Sequence, residues 1–162
     1  HVAQPAPPGL WVIHCDGSAI PNPGRMGLGA TLLAPDGQQH SLSLTSSLVG
    51  CNNEAELRAL LAALQQAHAL GARAVAVHSD SSLLIEQLQP PQADQRAPAP
   101  IARLAELFDS ARAWLARFDS VQLQWIPRHR NGTADTLARA ALGLAPKAAT
   151  PQGQTLKKRR KR

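Results

Sequence analysis

Four carboxylates, those of Asp16, Glu56, Asp80 and Asp135, stand where the chain changes from one kind of local structure to another. Asp16 closes an apolar run, Glu56 falls in the first turn of a helical stretch, Asp80 ends a second apolar run and Asp135 lies near the start of the last helical stretch. Each has a simpler explanation when taken singly: a turn residue before Gly17, a capping-box partner of Asn53, a helix N-cap, and a charge favoured by the helix dipole. Taken jointly they point elsewhere. Strand ends and helix starts converge on one edge of an open α/β sheet, where such folds place their sites. Carboxylates gathered there repel one another and resist ionisation unless divalent cations sit among them. Hard oxygen donors without His or Cys select Mg²⁺ or Mn²⁺ over Zn²⁺.

The elements that would position these groups follow from pattern and punctuation. Residues 10–16, 26–34 and 39–47 are strand-like, with Pro35, Asp36 and Gly37 turning the second into the third. Pro21, Asn22, Pro23 and Gly24 forbid a helix and favour a tight reversal after the first strand. Three antiparallel strands in a meander are expected. Over residues 52–70 the period changes, with Leu57, Leu60, Leu61 and Leu64 on one helical face and Gly71 as the stop. A strand over 74–80 and a short helix over 82–88 follow, ended by Pro90 and Pro91. A Pro- and Ala-rich connector, 89–100, leads to a helix over 101–117, a strand over 121–126 and a helix over 131–144 with Leu137, Ala140, Ala141 and Leu144 on one side. The order is βββαβααβα and the class α/β.

With 162 residues, 44% of them hydrophobic, the chain suits one domain with a real core. We expect that domain over 10–144, between a Pro-rich disordered lead-in at 1–9 and a disordered basic tail at 145–162. The opening His1 is not an initiator Met, and that edge is left out of the fold reasoning. Cys15 and Cys51 form neither a disulfide framework nor a Cys-x-x-Cys pair, which points to a reducing, cytoplasmic setting. No apolar run approaches the ~18 residues that span a bilayer, so no membrane partner is expected. Of 17 basic residues seven follow Ala145, leaving ten against 11 acidic ones, a net of −1, for the rest. The folded part is nearly neutral and the positive charge is concentrated in the tail, from Lys157 to Arg162.

Several segments then match one family. Asp16-Gly17-Ser18, followed by Asn22-Pro23-Gly24, Gly27 and Gly29, resembles the opening motif of type 1 ribonuclease H. Cys51-Asn52-Asn53-Glu54-Ala55-Glu56-Leu57 is similar to its Asn-Asn-x-x-Glu helix start, which selects Glu56 over Glu54. Ser79-Asp80-Ser81 resembles the third motif; Trp125-Ile126-Pro127 with Asn131, Ala134, Asp135 and Leu137 resembles the fourth. The resemblance implies a ribonuclease H-like fold, a five-stranded mixed sheet flanked by helices. It also implies two Mg²⁺ or Mn²⁺ ions held by Asp16, Glu56, Asp80 and Asp135. The implied activity is hydrolysis of the RNA strand of an RNA/DNA hybrid, leaving 5′-phosphate and 3′-hydroxyl ends. Gly17, Ser18, Asn22, Asn52, Asn53 and Asn131 are the implied substrate-binding residues; an amide suits the 2′-hydroxyl because it both donates and accepts. Asn52 or Asn53 would alternatively cap the helix.

Departures are equally informative. Cys51 stands where the family usually has a Thr that holds a DNA-strand phosphate, and the basic, Trp-containing handle of some relatives is missing from 89–100, where Arg96 is the only basic residue. His129 occupies the loop in which some relatives carry a catalytic His, at a different spacing from Asp135, and is weighed against a solvated loop histidine. His14 and His78 share strand faces with Asp16 and Asp80 and read as structural. The tail is expected to add sequence-independent attraction to the polyanion, or to act as a nuclear-import run in a eukaryotic source. The competing functions are a non-catalytic nucleic-acid-binding module and a related-fold nuclease for another duplex. A monomer is the expected state.

Overall fold

A computed structural model describes residues 9–89 and 102–147. Its elements are β1 (Leu10–Ile20), β2 (Gly24–Leu33), β3 (Gln39–Gly50), α1 (Asn52–Ala69), β4 (Ala74–Ser79), α2 (Ser82–Leu88), α3 (Ala105–Leu115), β5 (Ser120–Trp125) and α4 (Gly132–Ala141). Short 3₁₀ turns, Ala102–Leu104 and Arg128–Arg130, precede α3 and α4. The five-stranded sheet has the order β3-β2-β1-β4-β5. The β1–β2 and β2–β3 pairs are antiparallel, whereas β1–β4 and β4–β5 are parallel. This is the α/β class expected from the order of elements, with the five-stranded mixed sheet that the resemblance implies.

Alternation along β1 sorts the two sheet faces. Trp11, Ile13 and Cys15 point into the main core with Leu57, Leu60 and Leu64 of α1, Val75 and Val77 of β4, and Phe108 of α3. Burying each large aliphatic side chain contributes about 1.5–3 kcal/mol, so this layer carries most of the stability. His14 and Asp16 point to the other face, where α4 lies. Leu61 is only partly buried against that core; it lines an exterior groove with Leu44 and Leu48 of β3.

Three expectations are corrected. Asp16 does not end its strand: β1 continues to Ile20 because β2 pairs with it throughout, Asp16 opposite Gly29 and Ile20 opposite Arg25. The helix expected over 101–117 is described from a 3₁₀ turn at Ala102 and ends at Leu115. The buried face of α4 is Ala134 and Ala138, not Leu137, Ala140, Ala141 and Leu144. The cause is close approach: a side chain on Gly27 or Gly29 of β2 would run into the α4 backbone at Ala138 or Ala134. The helix lies so near the sheet that only Ala fits between them. Hydroxyls of Ser43 and Thr45 on β3 donate to the α4 carbonyls of Leu137 and Ala141, both at 2.7 Å.

The expected connector at 90–100 and most of the expected tail, 148–162, lie outside the described residues. At the start of that tail, Arg139 Nε donates to the Ala145 carbonyl at 2.9 Å and holds it beside α4. Among the described residues no helix is long and apolar enough to cross a membrane.

Candidate active site

The register of β1 against β4 brings His14 beside His78, so Asp16 and Asp80 lie near each other two residues further along. Glu56 reaches them from α1 because Gly17 permits it. A Cβ there would collide with the α1 backbone at Ala55 and Glu56. Carboxylate oxygens of Asp16, Glu56 and Asp80 all lie within 4.8 Å of one another. Asp135, in the first turn of α4, shares a side-chain hydrogen bond with Asp16.

The electrostatics follow from that crowding. Burial, then the charges of Asp80 and Glu56, push the Asp16 carboxyl far above the usual carboxylate range. Burial and the Asp80 charge raise Glu56 to about 7, with a Ser81 hydrogen bond and the Arg128 charge pulling the other way. Burial, with Glu56, Asp16 and Asp80 beside it, raises the Cys15 thiol. Burial lowers both His14 and His78, and for His14 the neighbouring His78 adds to the effect. The nest therefore retains protons at neutral pH unless positive charge replaces them. Its donors are all oxygen, as Mg²⁺ and Mn²⁺ require.

Both helix caps weighed for these segments are filled by other residues. Ser81 caps α2, its Oγ accepting from Leu84 N–H at 3.1 Å, which frees Asp80. Cys51, not Asn52 or Asn53, caps α1: its Sγ accepts from Glu54 N–H at 3.5 Å and from Arg103 Nη2 at 2.9 Å. A guanidinium thus stands beside the atom that replaces the family's Thr.

Gly17, Ser18 and Asn52 line a cavity of about 220 Å³ with Asp16, Glu56 and Asp135. Asn52 Oδ1 accepts from Ala19 N–H at 2.8 Å, and Asn22 Oδ1 accepts from Asn52 N–H at 3.1 Å. These bonds tie the Pro21–Pro23 turn to the start of α1 and orient both amides. Asn53 is exposed beside them. Asn131 is different, being 1% exposed. Its Nδ2 donates to Asp80 Oδ2 and to the Cys15 carbonyl, both at 2.9 Å. It faces the protein rather than a ligand and steadies Asp80.

His129 is exposed in its 3₁₀ turn and is not among the residues lining the cavity, whereas its neighbour Arg128 is. Arg139 and Lys147 line it too. Sequence reasoning missed these three cations. Arg139 was the legible one, since it follows Asp135 by four residues on the same helix and so shares its face.

A mixed sheet in this order, with an acidic nest where β1 and β4 run side by side, defines a ribonuclease H-like domain. The sequence matches the reverse transcriptase-like family across residues 14–141. It is 36% identical over 150 residues to the bifunctional protein Rv2228c of Mycobacterium tuberculosis, covering 90% of this chain and 39% of that protein. The chain thus spans about two fifths of the length of its mycobacterial relatives. The crystal structure of RNase H1 from Halobacterium salinarum superposes with a TM-score of 0.73 at 31% identity, covering 83% of this chain and 98% of that one. LC11-RNase H1 in complex with an RNA/DNA hybrid gives 0.69 at 29% identity, with 82% and 96% covered. The chain belongs to the reverse transcriptase-like family and, within it, to the type 1 ribonucleases H.

Proposed function

We propose that this chain is an endonuclease that hydrolyses the RNA strand of RNA/DNA hybrids with two bound divalent ions, Mg²⁺ or Mn²⁺, leaving 5′-phosphate and 3′-hydroxyl ends. The observation that carries the reading is the set of three carboxylates with oxygens within 4.8 Å of one another, two of them raised well above their ordinary range. Such a nest is costly to fold without cations, and the donors fit hard ions. Asp16, Glu56 and Asp80 would hold them, with Asp135 completing the set through Asp16. Bound ions would supply an activated water, stabilise the leaving 3′-oxygen and offset phosphate charge during in-line displacement.

The chain's own residues do the rest. Arg128, Arg139 and Lys147 bring positive charge to the cavity wall, where a phosphate would lie. The Nδ2 groups of Asn22 and Asn52 have no acceptor among the described residues, and their oxygens are already spent on the backbone. They are thus oriented donors for phosphate or ribose oxygens, with Asn53 alongside. Asn131 fixes the Asp80 carboxylate. Arg103, beside Cys51, would contribute to holding a DNA-strand phosphate where the family's Thr is missing.

Cleavage of an end-labelled hybrid with Mg²⁺, with Mn²⁺ and with chelator tests the reading, alongside RNA and DNA duplexes. Metal-dependent cutting confined to the RNA of the hybrid is expected. Hybrid binding without cutting would instead make the chain a non-catalytic module, and cutting of another duplex would make it a related nuclease.

A further inference from the structure

The two edges of the sheet are finished differently. β5 is six residues long, and the carbonyl of its Leu123 already accepts from Gln89 Nε2 at 3.0 Å. β3 runs for 12 residues without a charged side chain or a proline, the devices that usually keep an edge strand from pairing with another chain. Ala34 N–H donates to the Gln38 carbonyl at 2.8 Å and Gln39 stands opposite Leu33, which sets the phase of the β2–β3 ladder. His40, Leu42 and Leu44 therefore spend their backbone groups on β2, whereas Gln39, Ser41, Ser43 and Thr45 aim theirs outward. Among the described residues no other element takes up those outward groups. The sequence of this edge also reads alike in both directions. About Ser43 it runs Ser41-Leu42-Ser43-Leu44-Thr45, and reversal exchanges only a Ser for a Thr. A two-fold axis through an antiparallel pair asks for that self-complementarity.

We propose that β3 pairs with β3 of a second copy, antiparallel and centred on Ser43, so that two sheets join into one of ten strands. Ser43 then meets the partner's Ser43, and Ser41 the partner's Thr45, as hydrogen-bonded pairs built from the outward groups. Leu42 meets the partner's Leu44 as a non-hydrogen-bonded pair, the kind that brings side chains closest. Leu44 is 44% exposed as it stands, beside Leu61 in the groove between β3 and α1, so pairing covers apolar surface. The hydroxyls of Ser43 and Thr45 are held by α4 carbonyls and do not compete for the edge. Charge does not oppose the contact, because Arg58, the charged residue lining that groove, is paired with Glu54 at 2.8 Å. Beyond Thr45 the register with β2 shifts, so square pairing spans residues 41–45. The area is close to the lower bound of about 1,000 Å² for a specific interface, which makes the dimer reversible and dependent on concentration. Its strands run in opposite directions, so the two carboxylate nests open toward opposite ends of the joined sheet. An equilibrium thus replaces the expected monomer, whether or not the chain cleaves hybrids.

Sedimentation of the full chain over a concentration series from about 5 to about 500 µM tests it. The weight-average mass should climb toward twice that of the monomer. Leu44→Lys, which sets a charge in the leucine row, and Ser41→Pro, which removes an outward N–H without touching the β2 ladder, should each raise the dissociation constant at least tenfold. Leu70→Lys, at an exposed leucine on the end of α1, should leave it unchanged. Thermal unfolding checks that the variants fold. In a Cys51→Ala background, mild oxidation should cross-link Ser43→Cys, which meets its own copy at the axis, and not Ser41→Cys. A wild type that stays monomeric throughout, a dimer unmoved by Leu44→Lys and Ser41→Pro, or Ser41→Cys cross-linking as readily as Ser43→Cys would overturn the assignment.

Discussion

One wall of the candidate site is made of short acids fixed by backbone: Asp16 within a strand, Glu56 at a helix start, Asp80 at a strand end. The other is made of Arg128, Arg139 and Lys147, long cations on a 3₁₀ turn, a helix flank and the segment after α4. The acids are half or wholly buried, and Asp16 and Glu56 resist ionisation, whereas Arg128 and Lys147 are exposed. The acidic wall is therefore preorganised at a cost in stability, and the basic wall is adaptable at little cost. Substitution should separate them: changes in the first should cost activity while sparing or raising stability, and changes in the second should weaken substrate handling alone.

The sharpest break is Asp80→Asn. Cleavage with Mg²⁺ should fall by at least about a thousandfold. The metal-free protein should unfold at the same or a higher temperature, because the charge that raises both Asp16 and Glu56 is gone and an Asn oxygen can still accept from Asn131. A marked drop in melting temperature would show that the carboxylate holds the fold together.

Acidity probes the same wall without mutation. A carboxyl whose folded pKa is raised binds more protons folded than unfolded between the two values, so stability declines as pH climbs through that window. For Glu56 the window runs from 4.5 to about 7, and Asp16 extends it upward. Denaturant unfolding in chelator should lose on the order of 3 kcal/mol between about pH 5 and about pH 8 from Glu56 alone, with Asp16 adding to the loss. Excess Mg²⁺ at the upper end should restore it. A flat profile would mean the acids are farther apart in solution.

On the other wall, Arg128→Ala should lower kcat/KM by roughly 10–100-fold with unfolding unchanged, and Arg128→Lys should recover part of it. An equal loss in His129→Ala would move the catalytic role back to the histidine. The smallest effect belongs to the tail. Removing residues 148–162 should flatten the salt dependence of hybrid binding by about 0.9 in log–log slope for each phosphate the tail neutralises, leaving the cleavage step intact. An unaltered slope would confine phosphate recognition to the folded part.

The same contrast governs how much could be read from the sequence. The bounds of α2 were legible to the residue, because the prolines after Leu88 are a local stop signal, although its cap is Ser81 and not Asp80. Glu56 and Asp80 were legible because helix starts and strand ends have a fixed geometry. The buried face of α4 was not: Gly27 and Gly29 draw the helix in, and backbone contact replaces the leucines that periodicity favours. Asp16 was placed at a strand end because Gly17 and Ser18 read as a turn, whereas pairing with β2 carries the strand past them. Asn131 was expected, by resemblance, to bind substrate, and only tertiary packing reveals it turned inward. Arg128 and Lys147 carry no local signal at all; the path of the chain around α4 places them.

The clasp of Arg139 on the Ala145 carbonyl also fixes where the chain leaves α4. Lys147 lines the cavity, so the basic residues that follow it in the sequence, Lys157 to Arg162, are joined to the fold at this site. Positive charge joined to the fold there would meet a docked duplex at about millimolar effective concentration. Its service would be to recapture a duplex between cuts, and it would show as more successive cuts per encounter rather than as faster chemistry.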